Sequence, residues 1–161
     1  MLATCSVNST DKPIMKKIFA AIILAFTMMG SALAQKTPEG VTYDTTILRV
    51  SDGDTIVISA PYLPRPLKPQ LAVRIFGVDT PEKGARAGCP AEAAAAERAS
   101  AYTANLVKSG KKFQVTLYGW DKFGGRVLGD IIVDGQSVRH GLIRNGHARE
   151  YYGDKKQSWC Q

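Results

Sequence analysis

One alanine-rich segment, residues 90–108, separates two groups of strand-forming residues in this chain and so limits the folds it can adopt. Pro90 suits the first position of a helix, and alanine has the highest helix propensity of all residues. Gly110 stands just past the last helical position, where glycine commonly ends helices. The segment therefore predicts one long helix placed between two groups of strands.

Short runs rich in β-branched residues lie on both sides of that helix and are bounded by turn residues. The expected strands are residues 46–51, 55–59, 71–78, 113–117 and 127–133. A second helix is expected at residues 137–145, with Ser137 as its N-cap. Five short strands with an inserted helix predict the α+β class, as a small five-stranded OB-type β-barrel with two to three helices.

Residues 1–34 have the pattern of an N-terminal extension followed by a secretory signal peptide. Lys16 and Lys17 form a positive start, residues 18–30 are an uncharged apolar run, and an A-x-A sequence ends at Ala34. The apolar run is too short to span a bilayer as a stable helix. Cleavage after Ala34 is expected; a membrane anchor and a buried helix are the alternatives. Met1 and Met15 are both possible starts.

Residues 35–161 are long enough for one compact domain, which we expect to begin with a loose polar lead-in at residues 35–43. The formal charge is +7 for the whole chain and +5 for residues 35–161, which contain 18 basic and 13 acidic side chains. A basic domain attracts polyanions such as nucleic acid or anionic lipid, although retention at a cell surface is an alternative. We expect a monomer in a periplasm or outside the cell, without stable membrane association after cleavage.

The cysteines change in number when the leader is removed. Cys5 lies in the leader, so Cys89 and Cys160 remain as an even pair in an oxidising compartment. A bridge between them would close a loop of roughly 70 residues and pin the C-terminus, since Cys160 is the penultimate residue. A disulfide is the prediction, and two free thiols are the alternative.

Carboxylates stand at the ends of two predicted strands. Asp54 begins the second strand and Asp79 ends the third, so both lie where loops leave the sheet. Together with a backbone carbonyl such as that of Thr80, they would make an oxygen-only site suited to Ca²⁺ or Mg²⁺ and not to zinc. Glu82 could reach the ion through water or accept a proton from an attacking water. Ordinary turn chemistry explains each carboxylate taken alone.

Two arginines accompany these carboxylates. Arg74 lies inside an apolar strand, where a charge is costly unless it is paired or faces a cleft, and Arg126 opens a strand after a glycine-rich turn. Guanidinium groups match phosphate oxygens and neutralise charge that develops on phosphorus. Strict alternation would place Arg74 and Asp79 on opposite faces of the strand. We therefore expect a β-bulge at Gly77 that brings them together.

Three motifs in this order carry a resemblance to a known family. They are Asp-Gly-Asp-Thr at residues 52–55, Arg-x4-Asp-Thr-Pro-Glu at residues 74–82, and Asp-Lys-Phe-Gly-Gly-Arg at residues 121–126. The chain resembles the thermonuclease family of secreted, staphylococcal-type nucleases over residues 46–152. The resemblance implies an OB fold and Ca²⁺-dependent endo- and exonucleolytic hydrolysis of DNA and RNA with low sequence specificity, leaving 3′-phosphates.

The resemblance also implies roles for individual residues. It assigns Asp54, Asp79 and the carbonyl of Thr80 to calcium, and it assigns catalysis to three further side chains: Arg74, Glu82 and Arg126. Glu82 would activate the attacking water, and the two arginines would hold the phosphate. Two glycines precede Arg126 where the staphylococcal form has one, which leaves the register of this arginine open.

Substrate contacts outside these motifs have alternatives of equal weight. Lys122 is a candidate phosphate contact or a solvated turn lysine, and Tyr151 or Tyr152 is a candidate for stacking on a base or for packing under a terminal loop. The alternative function for the whole chain is a non-catalytic OB-fold module that binds nucleic acid. Pure binding would not require the full set of carboxylates and arginines.

Overall fold

The computed structural model describes residues 38–160, and the fold below refers to those residues. The predicted signal peptide and its cleavage site lie outside the described residues. Along the described residues, every helix is too short or too polar to span a lipid bilayer.

Nine strands, two α-helices and a single 3₁₀ turn make up the described chain. The strands are β1 (Val41–Asp44), β2 (Ile47–Asp52), β3 (Thr55–Ser59), β4 (Gln70–Ile75), β5 (Val78–Asp79), β6 (Phe113–Trp120), β7 (Val127–Val133), β8 (Gln136–Ser137) and β9 (Arg149–Glu150). The helices are α1 (Pro90–Ser109) and α2 (Val138–Arg144), and the 3₁₀ turn is Gly84–Arg86. Each of the five strands and both helices expected from the sequence are present.

The main sheet has the strand order β1-β6-β7-β4-β3-β2, in which β4 and β7 are parallel and the other neighbours antiparallel. Its two outer strands, β1 and β2, follow each other in the chain and are separated by Thr45 and Thr46 alone. Thr45 N donates to Phe113 O at 3.0 Å, and Ser59 N donates to Thr46 O at 2.9 Å, so the link continues both ladders. One continuous segment, residues 41–52, therefore supplies both outer strands of the sheet, and the mixed sheet with its two helices confirms the α+β prediction of OB type.

The expectation of a loose lead-in at residues 35–43 was wrong for its last residues. Val41–Asp44 forms β1, which pairs with β6 from Val41 opposite Leu117 to Asp44 opposite Gln114. All four side chains of β1 are exposed, so the strand lacks the buried alternation by which a strand is found in a sequence. Its pairing with a distant part of the chain could be seen only in the fold.

The β-bulge expected at Gly77 was also wrong, because β4 ends at Ile75 and a turn follows. Gly77 has φ of +75°, a conformation that glycine adopts without the strain of a side chain. After this turn β5 pairs with β9 and no longer follows the main sheet. The chain does change direction between Arg74 and Asp79, as the alternation of side chains along the strand required, but it does so by a turn and not by a bulge.

Helix α1 packs closely on the β2–β3 turn that carries Asp54. A side chain at Gly53 would place its Cβ 2.9 Å from the Cβ of Ala99, so only glycine leaves room for the helix. Thr103, fully buried on the same helix, donates its hydroxyl to Gly53 O at 2.8 Å. The alanine-rich face thus allows close contact, and one hydrogen bond anchors the turn.

The structure contains the predicted disulfide between Cys89 and Cys160. Cys89 is the N-cap of α1 and precedes Pro90. The bridge attaches the segment after β9, residues 151–160, which we call the C-terminal tail, to the start of α1.

We expect Thr103→Val to lower the free energy of unfolding by ~1–3 kcal/mol, because it leaves the buried carbonyl of Gly53 without its donor. Ser109→Ala is the matched control, since the Ser109 hydroxyl also donates to a helix carbonyl, that of Leu106, but is exposed. Urea unfolding of both variants measures the difference. Equal, small effects would show that the buried hydrogen bond does not anchor the turn.

Candidate active site

A cavity of about 740 Å³ opens where the β2–β3 turn, the end of β4, the β6–β7 turn and the C-terminal tail meet. Charged side chains of both signs and aromatic rings form its walls. The charged residues are Asp52, Asp54, Arg74, Glu82, Lys83, Arg86, Asp121, Lys122, Arg126 and Lys156, and the aromatic ones are Phe76, Trp120, Phe123, Tyr151 and Tyr152. All of the predicted site residues line this cavity except Asp79, which is buried beside it.

Asp54 and Arg74 meet because β3 and β4 are neighbours, with Thr55 directly opposite Arg74. Arg74 Nη1 donates to Asp54 Oδ2 at 2.6 Å, and Arg74 Nη2 reaches Val78 O at 3.4 Å beyond the Gly77 turn. The Thr55 hydroxyl donates to Asp54 Oδ1 at 3.0 Å. The charge within the apolar strand β4 is thus paired at the edge of the cavity, as the sequence required.

Burial raises the pKa of the Asp54 carboxyl to about 6; the Arg74 guanidinium opposes this shift and the neighbouring Asp52 carboxylate adds to it. The ionised form of Asp54 is therefore costly at neutral pH even with Arg74 beside it. A bound cation would remove that cost.

Arg126 reaches the same cavity from the β6–β7 turn. Gly124 and Gly125 both have φ of +69°, and Asp121 N donates to Arg126 O at 3.0 Å to close the turn. Arg126 Nη2 donates to Asp121 Oδ2 at 2.7 Å. Because β4 and β7 are parallel neighbours, with Val73 opposite Val127, Arg74 on β4 and Arg126 immediately before β7 both reach the cavity. The second glycine leaves Arg126 at the cavity wall.

Asp79 and Glu82 share one ammonium group, that of Lys156 in the C-terminal tail. Lys156 Nζ lies 2.7 Å from Asp79 Oδ1 and 3.2 Å from Glu82 Oε1. Burial alone would lower the pKa of Lys156, but the two carboxylates outweigh it and raise that pKa above its ordinary value. Trp159 Nε1 donates to Asp79 Oδ2 at 3.2 Å, and Arg86 Nε lies 3.5 Å from Glu82 Oε2.

The donors near the cavity suit a hard divalent cation. Within residues 38–160, Asp79 Oδ1 is buried with Lys156 Nζ at 2.7 Å, and Asp52 Oδ1 is buried without a hydrogen-bond partner. Carboxylate and carbonyl oxygens are the ligands that calcium prefers. Over the same residues, however, no three acidic, histidine or cysteine side chains converge into a ready metal site. The ligand set of Asp54, Asp79 and the Thr80 carbonyl stays a prediction.

The two tyrosines have different environments. The Tyr152 hydroxyl accepts a hydrogen bond from Arg139 Nη2, and its ring packs edge-on against Phe76 with centroids 5.7 Å apart. The Tyr151 ring lies 5.9 Å from Lys156 Nζ. Tyr152 is thus held by protein contacts on its polar end, whereas Tyr151 is beside the charged group of the tail. Lys122 lies over the Phe123 ring, 5.1 Å from its centroid.

Four residues of the cavity region had no role in the sequence reasoning: Trp120, Phe123, Lys156 and Trp159. Trp120 and Phe123 are 71% and 77% exposed, which is unusual for large aromatic side chains. Phe123 lies inside a recognised motif and Trp120 one residue before it, so their position could have indicated a role. For Lys156 and Trp159, the only feature of the sequence that could have indicated a role at the site is their closeness to Cys160.

A comparison with known families supports the chemistry suggested by this geometry. The family model for staphylococcal nuclease homologues matches residues 72–159. The chain belongs to this family. The matched segment includes Arg74, Asp79, Glu82 and Arg126, and Asp54 precedes it. Family membership confirms the resemblance read from the motifs, and it points to phosphodiester hydrolysis as the chemistry of this nuclease homologue.

Asp54→Asn tests the cost of the buried charge. A raised folded-state pKa means that Asp54 favours folding below pH 3.8 and that this contribution is lost as the pH rises through about 6. In chelator, the unfolding free energy of the Asn variant minus that of the unchanged protein should rise by ~2–3 kcal/mol between pH 4 and pH 7. Denaturant titrations across this range measure it.

Asp154→Asn removes an exposed carboxylate of the C-terminal tail and is the control for the loss of one negative charge. A difference for Asp54→Asn that is independent of pH would contradict the buried-charge account.

Proposed function

We propose that this protein is an exported, Ca²⁺-dependent nuclease that cleaves DNA and RNA with low sequence specificity and leaves 3′-phosphates. One observation carries the proposal: the guanidinium groups of Arg74, on β4, and Arg126, immediately before the neighbouring strand β7, line one open cavity together with Asp54 and Glu82. A site that only bound nucleic acid would need the positive groups but not a buried carboxylate and a solvent-accessible one beside them.

Each side chain has a position that fits a step of hydrolysis. Glu82 has a side chain that is 37% exposed, so water can reach it, and we assign it to accept the proton of the attacking water. Arg74 and Arg126 each retain N–H groups beyond those bound to Asp54 and Asp121, and these can donate to the non-bridging phosphate oxygens. Attack on phosphorus breaks the bond to the 5′ oxygen, which leaves with a proton taken from solvent.

A divalent cation completes the site in this proposal. Asp54, Asp79 and the Thr80 carbonyl are the residues that would hold calcium, and the ion would supply Lewis-acid stabilisation of the phosphate charge. The raised pKa of Asp54 supports this assignment, because Arg74 does not fully offset the cost of burying that carboxylate, and Asp79 provides a second buried carboxylate beside the cavity.

The rim of the cavity supports a single-stranded or locally opened substrate. Trp120 and Phe123 expose their rings beside Lys122, and Tyr151 of the C-terminal tail lines the same cavity. Bases of any sequence stack on aromatic rings, while lysine and arginine contact phosphates, so such contacts bind without strong sequence preference. The positive charge of residues 35–161 favours the same polyanionic substrates.

The direct test incubates purified residues 35–161 with plasmid and single-stranded DNA, in calcium or in chelator. We expect cleavage in calcium alone, with 3′-phosphate ends. Binding of DNA without cleavage across a range of pH would instead support the alternative of a non-catalytic OB-fold module. Export is tested separately, by the N-terminal residue of the protein recovered outside the cytoplasm, which should be Gln35.

Arg126→Ala should lower kcat by at least ~10²-fold, the usual effect of losing one donor to the transition state. Arg144→Ala is the control, because Arg144 is exposed on α2 and lies outside the cavity. Steady-state kinetics on single-stranded DNA measure both variants. Near-normal turnover of the Arg126 variant would show that another residue holds the phosphate.

A further inference from the structure

Lys156 occupies a position that the proposed chemistry does not explain. Its ammonium group lies between the carboxylates of Asp79 and Glu82, at 2.7 and 3.2 Å. The first of these is a proposed ligand of the cation and the second is the proposed base. A single positive charge of the protein thus contacts both groups that a divalent cation would bind or orient.

We propose that Lys156 is a positioning residue, an internal counter-ion that holds Asp79 and Glu82 until a divalent cation displaces it, and that it thereby sets the affinity of the site for the cation. This inference rests on the proposed function. It adds a residue for which the motifs of the chain provide no role, and it makes cation affinity a property of the C-terminal tail.

Contacts of the C-terminal tail with the rest of the domain hold Lys156 in place from both sides. On the N-terminal side, Tyr151 N donates to Gly77 O at 3.1 Å. On the C-terminal side, Trp159 donates to Asp79, Arg149 Nη1 donates to Ser158 O at 3.0 Å, and the Arg149 guanidinium lies 4.0 Å from the Trp159 ring centroid. The position of the ammonium group is therefore built into the fold and is not a chance surface contact.

The disulfide connects the tail to the loop of Glu82 through one buried carboxylate. Glu92 Oε1 accepts from Glu82 N at 3.2 Å, and Glu92 Oε2 accepts from Gly88 N at 2.8 Å. The same Oε2 lies 3.7 Å from Cys160 Sγ. The disulfide is thus connected through Glu92 to the loop that carries Glu82. We infer that it keeps the Lys156 ammonium group close to the carboxylates of Asp79 and Glu82.

The Lys156 ammonium group and a divalent cation would compete for the same carboxylate oxygen of Asp79. Asp79 Oδ1 is buried and faces the ammonium group, and the Asp79 side chain is only 6% exposed, so there is little room for both positive charges at that atom. Lys156 is 46% exposed, so its long side chain can move toward solvent when a cation arrives. A divalent ion must replace the ion pair and not merely fill an open site.

The test measures calcium binding by isothermal titration calorimetry, without substrate, for Lys156→Met and its controls. Methionine keeps an apolar stem of similar length and removes the charge. We expect calcium affinity to rise ~3- to 10-fold, the scale of a partly exposed ion pair made to two carboxylates. Lys156→Arg, which keeps the charge, should stay near the affinity of the unchanged protein. Lys155→Met removes the same charge one residue earlier and should change nothing.

The role of the disulfide is tested by repeating the comparison in Cys89→Ser/Cys160→Ser protein. Without the bridge the tail no longer holds the ammonium group, so the effect of Lys156→Met should shrink to less than ~2-fold, a loss of coupling between the two changes. Circular dichroism confirms that each variant is folded. An effect of the same size with and without the bridge would overturn the part assigned to the disulfide.

Three outcomes separate this inference from the proposed function. If the unchanged protein cleaves DNA in calcium but Lys156→Met binds calcium equally or more weakly, the inference fails and the nuclease proposal stands. A raised KM for DNA with unchanged calcium affinity would also overturn it, because Lys156 would then contact substrate only. If neither protein binds calcium or cleaves DNA, both proposals fail.

Discussion

The pairing of Asp54 with Arg74 is the interaction on which the rest of this site depends. A carboxylate that is almost fully buried is tolerated only with partners, and Arg74 Nη1 supplies one at 2.6 Å from the next strand. The pair requires β3 and β4 to be neighbours in one register, and it requires the β2–β3 turn to be held against α1. The fold meets both conditions with residues that have no chemistry of their own, Gly53 and Thr103. The pairing does not fully offset the cost of burial, since the pKa of Asp54 stays raised, and this leaves a site that gains from a cation.

A second constraint acts from the other end of the chain. The disulfide attaches the C-terminal tail to α1, and the tail places Trp159 and Lys156 on Asp79. The cavity therefore has one wall made by the sheet and its β6–β7 turn, which carry the two arginines, and one wall made by a cross-linked tail. This division is physically useful, because a strand ladder holds Arg74 rigidly while the half-exposed side chain of Lys156 can move toward solvent when a ligand binds.

Much of this architecture could be predicted, for reasons visible in particular residues. Strand β3 and strand β7 have the alternation or continuous burial typical of core strands, and α1 has a proline at its start and a glycine after its end. Strand β1 was missed because its side chains are exposed and its partner is β6, far along the chain. At Gly77 the need for a change of direction was predicted, but whether it is a bulge or a turn depends on β5 leaving the main sheet to pair with β9.

The sequence by itself determined which catalytic and metal-binding side chains are present, because each motif contains its carboxylates, arginines and turn residues within a few positions of one another. It also determined the α+β class and the cysteine pair. Only the tertiary structure decided which distant charges meet: Arg74 with Asp54, and Lys156 with both Asp79 and Glu82. The last contact joins residues more than seventy positions apart through a tail held by a disulfide. Periodicity and motif spacing describe residues that are close in sequence. An ion pair of this kind depends on which distant segments of the chain the fold brings together.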